Sequence, residues 1–123
     1  MKILILEDSP ERIIKFKELF KNQELYIFGN AHLAFCECLY TEFNIMLLDH
    51  DLDGRIWVDS DEENTGFAFI KFLVAALPRI QTKALIYIHS MNPIGANKML
   101  NLLKDDGRDG IWIPFPQLKI NNE

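Results

Sequence analysis

This chain lacks a basic stripe, a long hydrophobic run and a second cysteine pair, and each absence removes a class of function. Lys and Arg number 13 against 18 Asp and Glu, for a net charge of -5, and no run of basic residues forms a stripe. Electrostatic attachment to a long phosphate backbone is therefore not supported, while a small phosphorylated ligand needs only a few local donors and stays open. The opening MKILILEDSP has five apolar residues before Glu7 and Asp8, too few for a signal-peptide core or a membrane span. The expectation is a cytoplasmic protein with no membrane partner. Cys36 and Cys38 stand two apart on an expected helix and so point in different directions, with no further pair to complete a zinc site. Reduced, half-buried thiols are expected, with reactive use as the alternative. Internal repeats and low-complexity tracts are also missing.

What is present suits one packed domain. The 123 residues are one domain's length, and an apolar fraction of 49% with nine Phe can fill a single core. Four runs are apolar at nearly every residue: Ile3 to Leu6, Leu25 to Phe28, Ile45 to Leu48 and Ala84 to Ile88. Such runs suit parallel strands covered on both faces, and a weaker fifth spans Ile111 to Ile113. Segments of helical period lie between them. Ser9 caps the first helix with Pro10 at its first position, and Ile13, Phe16 and Phe20 form its stripe. A second covers Ala31 to Tyr40. A third covers Gly66 to Leu77 and ends at Pro78, and a fourth runs from Asn92-Pro93 to Gly107. The alternation predicts an α/β fold with a doubly wound five-stranded parallel sheet. The ending PFPQLKINNE, with two prolines in three residues, leaves no room for a full fifth helix. The apolar sheet face that such a helix would cover is expected to be shielded partly by Phe115 and Leu118 and partly by a second subunit, so a homodimer is a candidate assembly.

Ligands of open parallel sheets bind beyond the carboxyl ends of the strands. Those ends carry Glu7-Asp8, Asp49-His50-Asp51 and His89-Ser90-Met91-Asn92. Four carboxylates in one crevice repel one another unless a cation sits among them, which makes Glu7, Asp8, Asp49 and Asp51 candidate ligands for a divalent ion. Oxygen donors suit Mg²⁺ or Mn²⁺, and an added imidazole shifts preference towards Mn²⁺. His50 and His89 at adjacent strand ends suit proton transfer to and from a phosphodiester, with Asp49 beside them. The competing reading has Asp8 and Asp49 capping helices and both histidines bonded within the fold. Thr65-Gly66 and Asn92 to Gly95 open helices whose N–H groups favour an anion, so Thr65, Gly66, Ser90, Asn92 and Gly95 are candidate substrate-binding residues. Lys98 and Arg108 are the nearest basic candidates for charge balance, and His32 is expected at the surface. The acidic stretch 51–64, which contains Trp57, reads equally as a substrate lid and as a solvated loop.

Glu7-Asp8 after strand one, LLD ending at Asp49, Ser90 after strand four and Pro114 after strand five together resemble the response-regulator receiver domain, a flavodoxin-like fold, over nearly the whole chain. The resemblance implies that Asp8 and Asp49 hold Mg²⁺ and that Asp49 occupies the phosphoacceptor place. Two departures argue against ordinary phosphorelay: Ile113 stands where that family has a Lys, and the fifth helix is missing. The strings LDHDL, TG and HSMNPIG are similar to those of cyclic-phosphate processing receiver domains. That resemblance implies a role in processing cyclic phosphates of nucleotides or RNA ends. The leading expectation is thus a metal-assisted phosphoesterase acting on cyclic or terminal phosphates, and the alternative is a non-catalytic receiver-like module that senses metal or phosphate.

Overall fold

The apolar runs pair side by side into one parallel sheet. In the computed structural model, which describes residues 1–115, the elements are β1 (Lys2–Leu6), α1 (Pro10–Leu19), β2 (Glu24–Phe28), α2 (Ala31–Cys38), β3 (Ile45–Leu48), α3 (Gly66–Ala75), β4 (Leu85–Ile88), α4 (Pro93–Asp105) and β5 (Gly110–Trp112). Strand order is β2-β1-β3-β4-β5, the expected doubly wound parallel sheet. The helices end slightly earlier than their apolar periods suggest. α2 stops at Cys38 and α3 at Ala75, because Ala76 is already extended ahead of Pro78, as the residues leading into a proline prefer.

The two-residue alternation of a strand sorts the core into two layers. Ile3, Ile5, Ile45 and Leu47 point towards α1 and meet Phe16 and Phe20. Leu4, Leu6, Met46, Leu48, Ile86 and Ile88 point the other way, into the layer closed by α2, α3 and α4. In register, Leu6 pairs with Leu48 and Leu48 with Ile88, so the three central strands finish level. This levelness governs the site. One residue beyond the pairs, Glu7, Asp49 and His89 share the α1 face, and two residues beyond them Asp8, His50 and Ser90 share the opposite one.

Caps written in the sequence fix where the helices begin. Ser9 Oγ accepts from Arg12 N–H at 3.5 Å, Thr65 Oγ1 from Ala68 N–H at 3.1 Å and Asn92 Oδ1 from Gly95 N–H at 3.0 Å. Phe115 packs edge-on against Phe16, at 5.3 Å between centroids, and so covers part of the face where a fifth helix was expected to be absent. Leu118 lies outside the described residues. Further along that face Leu85 and Ile111 remain exposed, at 58% and 51%. Among the described residues no helix is long and apolar enough to cross a membrane.

Candidate functional site

Glu7, Asp49 and His89 each offer a ligand atom, and these atoms lie within 4.8 Å of one another; no other such group occurs among the described residues. All three side chains are buried. Glu7 Oε1 receives His89 Nε2 at 3.0 Å, and its Oε2 accepts the N–H groups of Asp8 and Ser9, each at 3.1 Å. Asp49 Oδ1 accepts His50 N–H at 2.8 Å. Arg12 in the first turn of α1 leans across both acids, with Nη1 3.5 Å from Glu7 Oε1 and 3.4 Å from Asp49 Oδ2, and its guanidinium rests over the Phe115 ring at 5.3 Å.

The two acids respond differently to burial. For Glu7 desolvation favours the neutral form, but the His89 hydrogen bond and charge, the Ser9 N–H and Arg12 outweigh it and hold the pKa below the ordinary carboxylate value. Asp49 has fewer donors, and burial pushes its pKa up to about 6, only partly opposed by His89 and Arg12 and reinforced by Glu7. A buried carboxylate that still resists ionisation beside a second acid and an imidazole is a donor set suited to a divalent cation, so the residues fit one. His89 Nδ1 is buried with no hydrogen-bond partner among the described residues, against the edge of Phe16 at 5.0 Å.

Several expected site residues are engaged elsewhere. Asp8 and Asp51 stand outside the metal-type cluster. Asp8 Oδ2 accepts Gly54 N–H at 2.6 Å. Asp51 closes the acidic loop: Trp57 and Val58 N–H, Asn92 Nδ2 and His50 Nδ1 all converge on its carboxylate, at 2.8, 3.2, 3.1 and 2.7 Å. Those donors hold its pKa low against the desolvation that opposes them, with His50 the strongest. His50 and His89 do not flank a common space. They sit on opposite faces of the sheet with separate partners, His89 against Glu7 and Phe16, His50 against Asp51, Ser60 and Gly95.

The helix-start residues are likewise committed to the fold rather than left open to an anion. Gly66 N–H donates to His50 O at 3.0 Å, Thr65 Oγ1 donates to Glu62 O at 3.2 Å while capping α3, and Gly95 N–H is held by Asn92. Ser90 is buried and its Oγ accepts Asn92 N–H at 3.0 Å. Glycine is required at 66 and 95 by close approach, because a Cβ there would stand 1.9 Å from Asp49 O and 2.4 Å from the His50 ring respectively. Arg108 is removed from the site altogether. It binds Ile80 O and Gln81 O at 2.8 and 2.9 Å, ahead of β4 at the far end of the sheet.

The cavity at the strand ends has a volume of about 140 Å³ and is lined by Arg12, Asp49, Asp51, Arg55, Ile56, Trp57, Met91 and Asn92. Sequence reasoning missed its two arginines. Arg12 was legible as the third residue of a capped helix following the Glu7-Asp8 strand end. Arg55 belongs to a loop whose path composition does not fix. Ile113, at the position where the resemblance leads one to look for a Lys, packs into the apolar layer, and the cation at Asp49 comes instead from α1. A larger hollow of about 500 Å³, walled by His32, Lys71 and Phe72, lies apart from the buried acids. His32 is exposed there, as expected, and Cys36 and Cys38 are free thiols, with burial pushing Cys38 up to about 12.

Solved structures that share this fold include several that are distant in sequence. A sensor protein from Polaromonas sp. JS666 is 17% identical with a TM-score of 0.68, covering 94% of this chain and 83% of that one. A CheY-like response regulator receiver domain from Methylobacillus flagellatus is 18% identical with a TM-score of 0.66, covering 97% and 92%. The signal receiver domain of a signal transduction histidine kinase from Syntrophus aciditrophicus is 19% identical with a TM-score of 0.65, covering 94% and 78%. Similarity at that level establishes the fold. No curated protein matches in sequence. The family model described as Cyclic-phosphate processing Receiver domain matches residues 3–105, a span that takes in the buried acids, the acidic loop and the HSMNPIG string, and the chain belongs to that family.

Proposed function

We propose that this domain is a metal-assisted phosphoesterase that binds a cyclic or terminal phosphate of a nucleotide or RNA end in the crevice above Asp49. The observation that carries the reading is the abutment of a buried Glu7–Asp49–His89 cluster on a cavity walled by Arg12 and Arg55. Glu7, Asp49 and His89 would hold the ion, Mn²⁺ or Mg²⁺, with the imidazole favouring Mn²⁺. When bound, that ion supplies Lewis-acid polarisation of a phosphoryl oxygen.

The protein's own groups account for the remainder. The guanidinium groups of Arg12 and Arg55 bind phosphate oxygens, with the planar donor geometry that suits them. Without the ion, burial holds the Asp49 pKa at about 6, so the carboxylate that would bind a cation forms near neutral pH. His89, held by Glu7, completes the ligand set, and His50 lies on the other face with Asp51 and Ser60 as its partners. A volume of about 140 Å³ encloses only the phosphate end of a nucleotide, since pockets for whole organic ligands run from roughly 300 Å³ upward. The base must lie outside, where Trp57, 64% exposed and held by its N–H on Asp51, offers a stacking surface.

The test is turnover of a panel of 2′,3′-cyclic and 3′,5′-cyclic nucleotides with Mn²⁺ present. Ring opening of at least one compound, abolished in Asp49→Asn, supports the proposal, and an untouched panel contradicts it. The burial of both histidines favours a second reading, a receiver-like module that binds a phosphorylated ligand without turning it over. A tight nucleotide complex recovered chemically unchanged selects that reading.

A further inference from the structure

Ser60, His50 and Asp51 form a hydrogen-bonded chain separate from the metal-type cluster, and of the three only Asp51 also lines the arginine crevice. Ser60 Oγ lies 2.8 Å from His50 Nε2, and His50 Nδ1 lies 2.7 Å from Asp51 Oδ1. The polarity of the chain follows from its far end. Every contact to the Asp51 carboxylate comes from a donor, namely Trp57 N–H, Val58 N–H, Asn92 Nδ2 and the imidazole, so Nδ1 is the ring nitrogen that carries hydrogen. In the neutral ring Nε2 is then the acceptor, and the Ser60 hydroxyl donates to it. This is the tautomer and direction that a serine nucleophile requires.

The surroundings hold this arrangement in place. His50 is fully buried, with its ring against Gly95, where no Cβ could be accommodated. Ser60 is buried as well, with 5% of its surface exposed. It lines a cavity of about 230 Å³ with Trp57, Asp59, Ile94 and Lys98, and among the described residues lining that cavity Lys98 is the one cation. Trp57 and Asn92 form the wall between this cavity and the arginine crevice, which leaves Ser60 on the far side from the metal-type cluster. A serine at the wall of a cavity, a base bonded to its hydroxyl and an acid fixing the base together make a nucleophile constellation.

We propose that Ser60, with His50 as its base and Asp51 as the positioning residue, is a second, metal-independent site that hydrolyses small carboxylic esters. Ser60 Oγ forms a bond to the ester carbonyl carbon as its proton passes to His50 Nε2, and the carbonyl electron pair moves onto oxygen beside Lys98. Collapse breaks the carbon–alkoxy bond, and the departing alkoxide takes the proton from Nε2. Water then attacks the acyl-Ser60 ester and gives its proton to Nε2. The bond from the acyl carbon to Ser60 Oγ then breaks, Oγ takes the proton from Nε2, and the carboxylic acid leaves.

The experiment is covalent labelling of the full chain with a fluorophosphonate in the presence of a chelator, read by intact mass and peptide mapping. The phosphorus–oxygen bond forms on Ser60 while fluoride departs, giving one adduct per chain. The expected result is labelling confined to Ser60, slowed by about a hundredfold or more in His50→Gln, the scale of a lost general base. In parallel, p-nitrophenyl acetate hydrolysis should disappear in Ser60→Ala. Near-ultraviolet circular dichroism verifies that each variant is folded, and Ser60→Cys, alkylated by iodoacetamide faster than Cys36, tests the same environment without removing either partner. An unlabelled Ser60, or labelling at an equal rate in folded His50→Gln, overturns the proposal. Because metal is withheld throughout, neither outcome bears on the phosphoesterase reading.

Discussion

Asp49 is the residue at which the fold and the proposed chemistry pull against each other. Burial raises its pKa from 3.8 to about 6, so between those values the folded chain binds more protons than the unfolded one. Its contribution to stability is therefore present below about pH 4 and lost as pH rises through 6 in the metal-free protein. Glu7 runs the other way, since its lowered pKa lends stability above the ordinary carboxylate range that is lost on acidification. Asp49→Asn should flatten the decline between pH 4 and 6 and stabilise the metal-free chain at pH 7 by roughly 2 kcal/mol. Urea unfolding across that range with a chelator present checks this. An Asn variant less stable than the parent at pH 7 would contradict it. Arg12→Ala should weaken binding of a phosphate ester by tenfold or more, the size of one charge-assisted contact of about 1.5–3 kcal/mol, as measured by calorimetry.

At the scale of elements, the site depends on how closely α3 and α4 approach the end of β3. Gly95→Ala places a methyl group 2.4 Å from the His50 ring, and relief requires moving either α4 or the ring. A loss of about 1–3 kcal/mol in chemical denaturation is expected, the usual cost of overpacking, together with faster proteolysis of the loop that His50 secures through Asp51 and Ser60. Wild-type stability in that variant would contradict the account. Strands and caps were legible in the sequence because each rests on local chemistry: runs covered on both faces, Ser9-Pro10, Thr65-Gly66 and Asn92-Pro93. The grouping of side chains beyond the strands was less so. That Glu7, Asp49 and His89 share a face while His50 and Ser90 turn away follows from register, which is set by pairing between distant segments. The loop 51–64 was the least legible part. Its course depends on single donors reaching the Asp51 carboxylate and on positive φ at Asp53 and Trp57, 62° and 56°, of which only the Asp53-Gly54 turn has a signature in the sequence.

For the whole molecule, the α1 side of the sheet is the incomplete one. Phe115 shields Phe16 and His89, but Leu85 and Ile111 stay exposed towards β4 and β5. We propose that a second copy of the chain covers them. Light scattering should then show a mass that rises towards twice the monomer's with concentration and falls back in Leu85→Arg, whereas a constant monomeric mass would contradict the dimer. The same layering explains why the acids are buried and yet adjoin a cavity. Arg12 spans from Asp49 to the Phe115 ring, and both Arg12 and Asp49 line the crevice.

The central claim is that Glu7, Asp49 and His89 form one cation site, and a calorimetric titration of Mn²⁺ into the chelator-treated chain at pH 7 tests it most directly. The account predicts one ion per chain, with binding abolished in Asp49→Asn and strongly weakened in Glu7→Gln and His89→Gln. Absence of binding, or binding indifferent to all three substitutions, would contradict it.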